Sequence, residues 1–382
     1  MRFGPDFEAL VSRFSSGSHD PIAIAISGGS DSVVLLYLAQ EWARRTQHRI
    51  LALTVDHRLR PEAAQEGKWV AALCGRLGVT HQTLAWHDPK PTQKAARSAR
   101  YELLARAARR ANAKLLLVGH TRDDVVETAL IRRRRDVRDT SAAGPVLAAP
   151  APVWPAGRGV TVLRPLLQQR RAALRTYLQV AGQDWIEDPS NESIAFERIR
   201  IRKFLDRSPH LKRRAAAYVD QLQERRFADD FQLGDWLSQC HVGSDGLIQS
   251  APVPAPMRGL AVLARLASGS DRDPRADALG GMRRLLQCPG QRQTLGGAWF
   301  QKTGSGYLIG RDPGARQARL EAGLFDGRFE PAAAAMLPRR DDQAFLVRHA
   351  APDGANWKEV ISERLQQLVQ CYQTPRLSPV QT

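Results

Sequence analysis

A six-residue segment near the N-terminus, Ser27-Gly28-Gly29-Ser30-Asp31-Ser32, most strongly constrains how this chain can fold. The apolar run from Pro21 to Ile26 precedes it, with isoleucine at alternate positions, which is typical of a buried strand. A helical pattern of apolar residues, Val33 to Ala43, follows it. Two consecutive glycines permit unusual backbone angles and close approach of a ligand. The segment is therefore predicted to be a loop between a strand and a helix.

The polar groups of this loop are suited to binding a phosphate. Free N–H groups at the start of the following helix, together with the helix macrodipole, attract an anion. The hydroxyl groups of Ser27, Ser30 and Ser32 add donors, and Ser30 is also predicted to cap the helix. Asp31 adds a carboxylate that can hold Mg²⁺ against phosphates. A phosphate-binding loop is the favoured interpretation, and glycines that only make a turn are the alternative.

The alternation of strand and helix patterns predicts the fold class. Four further strand patterns lie at residues 49–56, 79–86, 114–119 and 160–163. Helical patterns separate them, so we predict an α/β domain with a parallel five-stranded sheet and helices on both faces. The stretch 140–159, rich in Ala, Pro and Gly, is predicted to be a loop. We assign this domain to residues 1–207, a mainly helical domain to 208–292 and a small mixed α/β region to 293–382.

Charge and cysteine content limit which partners and which cellular compartment are possible. A formal net charge of +17 over 382 residues favours a polyanionic partner, most often nucleic acid. Cys74, Cys240, Cys288 and Cys371 are widely spaced without a CxxC pair, which disfavours a zinc site, an iron–sulfur site or a disulfide framework. Residues 1–19 lack the apolar core of a signal peptide, and no apolar run reaches the length of a membrane span. We therefore expect a cytoplasmic protein without membrane contact.

Several chemically active side chains follow the predicted strands. Ligands of parallel sheets bind beyond the carboxyl ends of the strands. Gly28, Val55, His57 and His120 all lie at or just after such ends, so one cleft can collect them.

Two pairs of charged residues flank this predicted cleft. Arg97 and Arg100 are three residues apart on one face of a predicted helix, although a solvated basic face is the alternative. Asp123 and Asp124 cannot both point the same way, so one of them is expected to face the cleft. Helix capping is the alternative for this acidic pair.

Five motifs, in this order, resemble the tRNA(Ile)-lysidine synthetase family of the PP-loop ATP pyrophosphatases. They are SGGSDS, KAARSARY at 94–101, GHTRDDVVET at 119–128, RPLL at 164–167 and WIEDPSN at 185–191. The resemblance covers about residues 20 to 205. Members of this family use ATP to join free lysine to C2 of the wobble cytidine in an isoleucine tRNA with a CAU anticodon. The resemblance implies an adenylated cytidine intermediate, ATP and Mg²⁺ as cofactors, and lysidine, AMP and pyrophosphate as products.

The resemblance also implies roles for individual residues. The expected nucleotide-binding residues are Ser27, Gly28, Gly29, Ser30, Asp31, Ser32, Val55, His57 and Arg97. The expected catalytic residues are Asp31, Arg100, His120 and Asp124, and Asp31 and Asp124 are also the expected Mg²⁺ ligands. Asp124 could instead accept a proton from the lysine ammonium. Glu127, three residues further on, could hold that ammonium.

Two segments depart from the family pattern and keep alternatives open. Where the family carries a glycine-rich RGSGxxGL segment, this chain has Arg135 to Ala142, with Asp136, Arg138 and Ser141 in place of glycines. Where it has Arg-Asn, this chain has Arg198-Ile199. A basic RNA-binding protein that has lost catalysis is therefore one alternative. Another PP-loop enzyme, such as a tRNA thiolase or an amidating synthetase, is the second, because the first motif alone identifies only the superfamily.

Overall fold

A computed structural model describes most of the chain. The described residues are 4–15, 19–58, 62–89, 92–137, 140–153, 156–187, 197–252, 255–270, 273–285, 289–312 and 357–375. The chain forms two compact units, one of Met1–Asp229 with Thr374–Thr382 and one of Asp230–Gln373. The division into three domains at residues 207 and 292 stays a prediction.

The first unit alternates strands and helices. Its strands are β1 (Ile22–Ala25), β2 (Ile50–Asp56), β3 (Thr80–Ala85), β4 (Leu115–Val118), β5 (Ala148–Pro150) and β6 (Thr161–Leu163). Its helices are α1 (Gly4–Ser15), α2 (Ser30–Thr46), α3 (Ala63–Leu77), α4 (Gln93–Arg110), α5 (Arg122–Arg134), α6 (Arg171–Val180) and α7 (Glu197–Asp206). A longer helix, α8 (Pro209–Ser238), contains the boundary between the units.

The sheet of the first unit has the strand order β3-β2-β1-β4-β6-β5. Five of its strands are parallel, which confirms the predicted parallel sheet. The sixth, β5, pairs antiparallel with β6 at the edge, through the register Ala148↔Leu163 to Pro150↔Thr161. The prediction of a plain loop over residues 140–159 was therefore wrong. The Ala-Ala-Pro sequence of β5 has no strand pattern of its own, and its extended form depends on hydrogen bonding to β6.

The central strand β1 explains how the core is built. Because side chains alternate across a strand, Ala23 joins Leu53 and Leu116 in the apolar cluster that α4 covers. Ile22 and Ile24 point to the other face, and both are fully buried. Helices on both faces leave only the ends of the strands open. The carboxyl ends of the parallel strands therefore lie together at one end of the sheet, and the predicted site segments follow them.

The second unit is built on an antiparallel sheet of order β7-β8-β11-β10-β9. Its strands are β7 (His241–Val242), β8 (Ile248–Gln249), β9 (Arg292–Leu295), β10 (Ala298–Lys302) and β11 (Tyr307–Arg311). Its remaining helices are α9 (Met257–Ser268), α10 (Ala276–Leu285) and α11 (Trp357–Tyr372). The sequence patterns did not predict β7 and β8, which are only two residues long. The mixed stretch predicted at 332–351 lies outside the described residues.

Over the parts of the chain that the structure describes, no helix is both long enough and apolar enough to cross a membrane.

A matched pair of valines tests the packing of the first unit. Val34 of α2 is fully buried, whereas Val180 at the end of α6 is 85% exposed. We expect Val34→Ala to lower the free energy of unfolding by about 2 kcal/mol, because two buried methyl groups and their contacts are lost. Val180→Ala should change it by less than about 0.5 kcal/mol. Urea denaturation of both variants measures the difference, and equal effects would contradict this packing.

Candidate active site

The loop between β1 and α2 has the geometry of an anion-binding turn. Gly29 is the N-cap of α2, and no side chain caps the helix. The prediction that Ser30 is the cap was wrong, since Ser30 is the first helical residue. The Ser32 hydroxyl donates to the Gly29 carbonyl at 2.8 Å and accepts from the Ser27 N–H at 3.2 Å, so it holds the loop in shape. The Ser32 N–H donates to the Gly29 carbonyl at 3.0 Å, so the N–H groups of Ser30 and Asp31 are those left for an anion.

Two glycines permit close contacts around this loop. Gly28 has φ +86°, and a Cβ there would overlap Cδ1 of Ile186. The Ile186 N–H donates to the Gly28 carbonyl at 2.9 Å, which fixes the 185–187 segment against the loop. At Gly119, after β4, a Cβ would lie 3.2 Å from the Asp31 carbonyl group. The ends of β1 and β4 therefore meet closely at the loop.

Arg171, the first residue of α6, joins the two predicted catalytic carboxylates. Its Nε lies 3.0 Å from Oδ2 of Asp31, and its Nη2 lies 3.2 Å from Oδ1 of Asp124. Its backbone N–H donates to Oδ2 of Asp123 at 2.8 Å, so Asp123 caps α6. The sequence analysis missed Arg171. A cation in the first turn of a predicted helix, where the macrodipole disfavours it, was the available signal.

Burial and ion pairing act differently on the two carboxylates. Burial raises the pKa of Asp31, and the charge of Arg171 offsets this only in part. Burial also acts to raise the pKa of Asp124, but Arg171 and Arg198 outweigh it, and the pKa of Asp124 is lowered. Asp124 is therefore ionised at neutral pH. The three nearby carboxylates raise the pKa of Arg171 despite its burial, so Arg171 stays a cation.

Asp124 also stabilises the start of its own helix. Its Oδ2 accepts from the Thr121 N–H at 2.8 Å and from the Thr121 hydroxyl at 3.0 Å, as part of a capping box. Its Oδ1 faces Arg171. Capping and orientation toward the site were posed as alternatives, and this carboxylate does both.

Glu127 lies deeper and is enclosed by arginines. Its side chain is 2% exposed, with Arg171 Nη1 at 3.6 Å, Arg198 Nε at 3.0 Å and Arg202 Nε at 2.8 Å. Arg198 also donates to the Thr128 hydroxyl at 2.9 Å. Helix α7 thus supplies two of these guanidinium groups, those of Arg198 and Arg202. Arg198 belongs to the Arg198-Ile199 segment that departs from the family pattern. Contact of Glu127 with a lysine ammonium stays a prediction.

His120 follows β4 and is held neutral. Burial, followed by the charge of Arg164, lowers its pKa to about 3, although Asp124 acts in the opposite direction. Among the described residues, its buried Nδ1 has no hydrogen-bond partner. Arg164 is itself buried after β6 and donates to the Val146 carbonyl at 2.9 Å. The sequence analysis had included Arg164 only as part of a motif.

The remaining predicted residues lie in the same electrostatic environment. Arg97 and Arg100 lie over the ring of Tyr101, at 5.1 and 5.8 Å from its centroid. Burial lowers the pKa of His120 and of His57, and the positive charge of Arg100 lowers both pKa values further. The Nδ1 atom of His57 is also buried without a described hydrogen-bond partner.

Val55 differs from these charged and polar groups. It is half-buried at the end of β2 and packs against the apolar core. A nucleotide contact by Val55 stays a prediction, as do the roles of the other site residues.

The donor set fits a nucleotide and a divalent cation. The uncapped helix start and two unpartnered buried ring nitrogens are suited to a ligand rich in phosphate and polar groups. Mg²⁺ is usually held by one or two carboxylates together with substrate phosphates, and Asp31 and Asp124 supply two. Over the described part of the chain, no group of three or more His, Cys, Asp or Glu side chains could hold a metal ion.

Comparison with known proteins places the chain in a family. The PP-loop domain family matches residues 5–208. A tRNA(Ile)-lysidine synthase from Hyphomonas neptunium is 38% identical over 289 residues, which cover 74% of this chain and 77% of that protein. The chain belongs to the tRNA(Ile)-lysidine synthase family. A second member, from Caulobacter vibrioides, is 34% identical over 343 residues, which cover 86% of this chain and 78% of that protein. The motif-based resemblance and the ATP-binding PP-loop fold are thereby confirmed.

A solved structure gives a weaker likeness. The U34-tRNA thiolase NcsA from Methanococcus maripaludis, with its [4Fe-4S] cluster, is 16% identical, and the match covers 58% of this chain and 77% of that chain. The TM-score is 0.48, which is too low to bear on the function of this lysidine synthase family member.

The role of Arg171 is testable against an arginine one turn along the same helix. Arg171→Gln leaves Asp31 and Asp124 without their shared cation. We expect ATP-dependent pyrophosphate release to fall roughly 100-fold, since small displacements of reacting groups cost about that much. Arg175 pairs with the exposed Glu187 at 3.0 Å, so Arg175→Gln should have little effect. Circular dichroism checks the fold of both variants. Equal activity of the two would show that Arg171 does not organise the site.

The low pKa of His120 predicts a pH dependence of stability. The unfolded chain binds a proton at this residue near its ordinary pKa of 6.5, whereas the folded chain stays unprotonated until about pH 3. Between these values the unfolded state binds more protons, so stability falls as the pH falls. Thermal unfolding from about pH 7.5 to about pH 5 should therefore show a smaller drop in Tm for His120→Gln than for the wild type. The exposed His210 provides a control, because His210→Gln should keep the wild-type drop.

Proposed function

We propose that this chain joins free lysine to C2 of the wobble cytidine of an isoleucine tRNA with a CAU anticodon, with ATP converted to AMP and pyrophosphate. The observation that carries the proposal is the pairing of Asp31 and Asp124 through Arg171, beside an uncapped helix start. Its setting is a PP-loop domain in a chain of the lysidine synthase family. A cytoplasmic location is part of the proposal.

The first step adenylates the cytidine. Its O2 atom attacks the α-phosphorus of ATP, an O–P bond forms, and the bond to pyrophosphate breaks. The N–H groups after Gly29 bind the phosphates, and Arg100 neutralises the charge that develops there. Asp31 and Asp124 would hold Mg²⁺, which supplies further neutralisation of the phosphate charge when bound.

The second step forms the new C–N bond. The lysine amine attacks C2, the C–O bond breaks, and AMP leaves with the former cytidine oxygen. The amine must lose protons, and a carboxylate with a lowered pKa is a poor store for them. Asp124 therefore serves better as the fixed negative charge that would hold Mg²⁺, and the released protons pass to solvent. His120, held neutral, adds no positive charge that would repel the ammonium.

The thiolase alternative is disfavoured by the chemistry of the described cysteines. Sulfur transfer needs a thiolate. Cys74, Cys240 and Cys371 are all buried. Burial raises the pKa of Cys74 and of Cys240 to about 11, so neither is a thiolate at neutral pH. Cys288 lies outside the described residues.

The lapsed-enzyme alternative draws little support from the altered glycine segment. Asp136 has φ +59°, a left-handed angle that glycine adopts freely and that aspartate tolerates better than most residues. The local backbone shape that a glycine would favour is therefore retained at this position. Arg138 and the side chain of Ser141 lie outside the described residues.

Lysine transfer tests the proposal directly. Radiolabelled lysine should become acid-precipitable with the CAU-anticodon tRNA and ATP, with AMP and pyrophosphate as co-products. It should not do so when the wobble cytidine is changed to uridine. Asp31→Asn and Asp124→Asn should each lose most of this transfer, because they remove a charge and keep the shape. The asparagine oxygen at position 124 can still accept from Thr121, so the helix cap is kept.

A carboxylate at the amino ends of the strands, away from the candidate site, provides the matched control. Asp20 precedes β1 and pairs with the exposed Lys114 at 3.0 Å, so Asp20→Asn should keep full transfer. Sulfur incorporation into tRNA would favour the thiolase alternative instead. Tight tRNA binding without ATP cleavage under any condition would favour the lapsed enzyme.

A further inference from the structure

Helix α7 has an inner face that belongs to the candidate site. Ile201 and Leu205 are buried against the apolar residues of α5 and α8. Arg198 and Arg202 form ion pairs with the buried Glu127. These contacts fix both the position of α7 and its rotation about its own axis, so the opposite side of the helix faces outward in a defined way.

The outer face of α7 combines an exposed aromatic ring with cations. We define it by four exposed residues, Arg200, Lys203, Phe204 and Arg207. Their spacing of three, four and seven residues places them on one side of the helix, with Arg207 one residue beyond its end. Phe204 is 59% exposed. Its ring therefore lies within a basic surface.

This basic surface extends to the end of the neighbouring helix. Glu197, at the start of α7, pairs with Arg135 at 2.8 Å and lies 3.9 Å from Arg134. Both arginines remain more than 60% exposed. One carboxylate thus holds two further guanidinium groups beside the α7 outer face without covering them.

A second exposed phenylalanine has the opposite surroundings. Phe231 of α8 is 51% exposed, and the charged residues on its side of the helix are the exposed Glu224, seven residues before it, and Asp235, four residues after it. Single exposed apolar residues are ordinary. A ring flanked by cations is different, because that pairing is how proteins bind single-stranded nucleic acid: the ring stacks on a base and the cations contact phosphates.

We propose that the α7 outer face is an RNA-docking surface on which Phe204 stacks an unpaired nucleobase while Arg200, Lys203 and Arg207 contact the flanking phosphates. The proposal rests on the proposed function, which makes tRNA the substrate. Phe204 is two residues from Arg202, whose guanidinium contacts Glu127 of the candidate site. One helix therefore carries both the exposed ring and an arginine that contacts the candidate site, about 3 Å apart along the helix axis and on opposite faces. Unpaired loop nucleotides next to the reacting cytidine are the matching ligand, and a paired stem is not.

Binding without turnover tests the proposal. Fluorescence anisotropy with a CAU anticodon stem-loop, in the absence of ATP and lysine, gives Kd over a series of salt concentrations. We expect Phe204→Ala to weaken binding about tenfold at every salt concentration, because a stacking contact releases no counterions. Phe204→Tyr should restore the affinity. Arg200→Gln should instead flatten the dependence of log Kd on log salt by about 0.7 to 0.9.

Two controls separate stacking from general effects. Phe231→Ala makes the same substitution beside acidic residues and should leave Kd unchanged. A fully paired RNA duplex of the same length should bind the wild type and Phe204→Ala equally, because it offers no unpaired base. In the lysine-transfer assay, Phe204→Ala should raise the KM for tRNA and leave kcat unchanged, because the inner face of α7 is intact.

Several results would overturn the proposal. One is a Phe204→Ala variant that binds the stem-loop with the wild-type affinity. Another is a Phe204→Ala variant whose affinity for the duplex falls as much as its affinity for the stem-loop. A wild-type dimer in sedimentation that Phe204→Ala converts to a monomer would make this face an interface between copies of the chain. A wild type that binds the stem-loop through Phe204 but never transfers lysine would defeat the proposed function and leave this docking surface standing.

Discussion

Like charges brought together out of water must be neutralised, and this constraint organises the first unit. Its candidate site contains three carboxylates, on Asp31, Asp124 and Glu127, and three guanidinium groups, on Arg171, Arg198 and Arg202. A buried charge without a partner costs several kcal/mol, so each carboxylate requires its arginines. Those arginines come from α6 and α7, which are distant in sequence from the loops after β1 and β4. The ion pairs therefore fix the helices and the site at the same time.

In the proposed reaction, groups that stabilise the fold also take part in the chemistry, which affects how the site should be studied. Asp124 caps α5 through one oxygen and faces Arg171 through the other. Ser32 holds the phosphate-binding loop in shape rather than only offering a hydroxyl group. Substitutions that keep shape and remove charge can separate the two roles, whereas truncation to alanine removes both.

The two faces of α7 show how a short helix can connect a catalytic site with a surface. Its inner face contributes guanidinium groups to a buried carboxylate and apolar side chains to the core. Its outer face carries cations around an exposed ring. Because a helix is rigid over ten residues, the position of one face fixes that of the other. In the docking that we propose, a substrate strand on the outer face would thereby be aligned with the carboxylates.

The sequence by itself determined the parallel sheet, its connecting helices, the position of the loop between β1 and α2, and the family. These follow from signals carried by neighbouring residues: alternating apolar positions in strands, the helical repeat, and motifs in a fixed order. The tertiary structure alone decided that Arg171 joins Asp31 to Asp124, that Gly29 rather than Ser30 caps α2, and that residues 148–150 form an edge strand. Each of these depends on a partner far along the chain or on the angle at which the chain enters a helix. Local patterns do not encode such long-range geometry, because the partners are neighbours only in the packed structure.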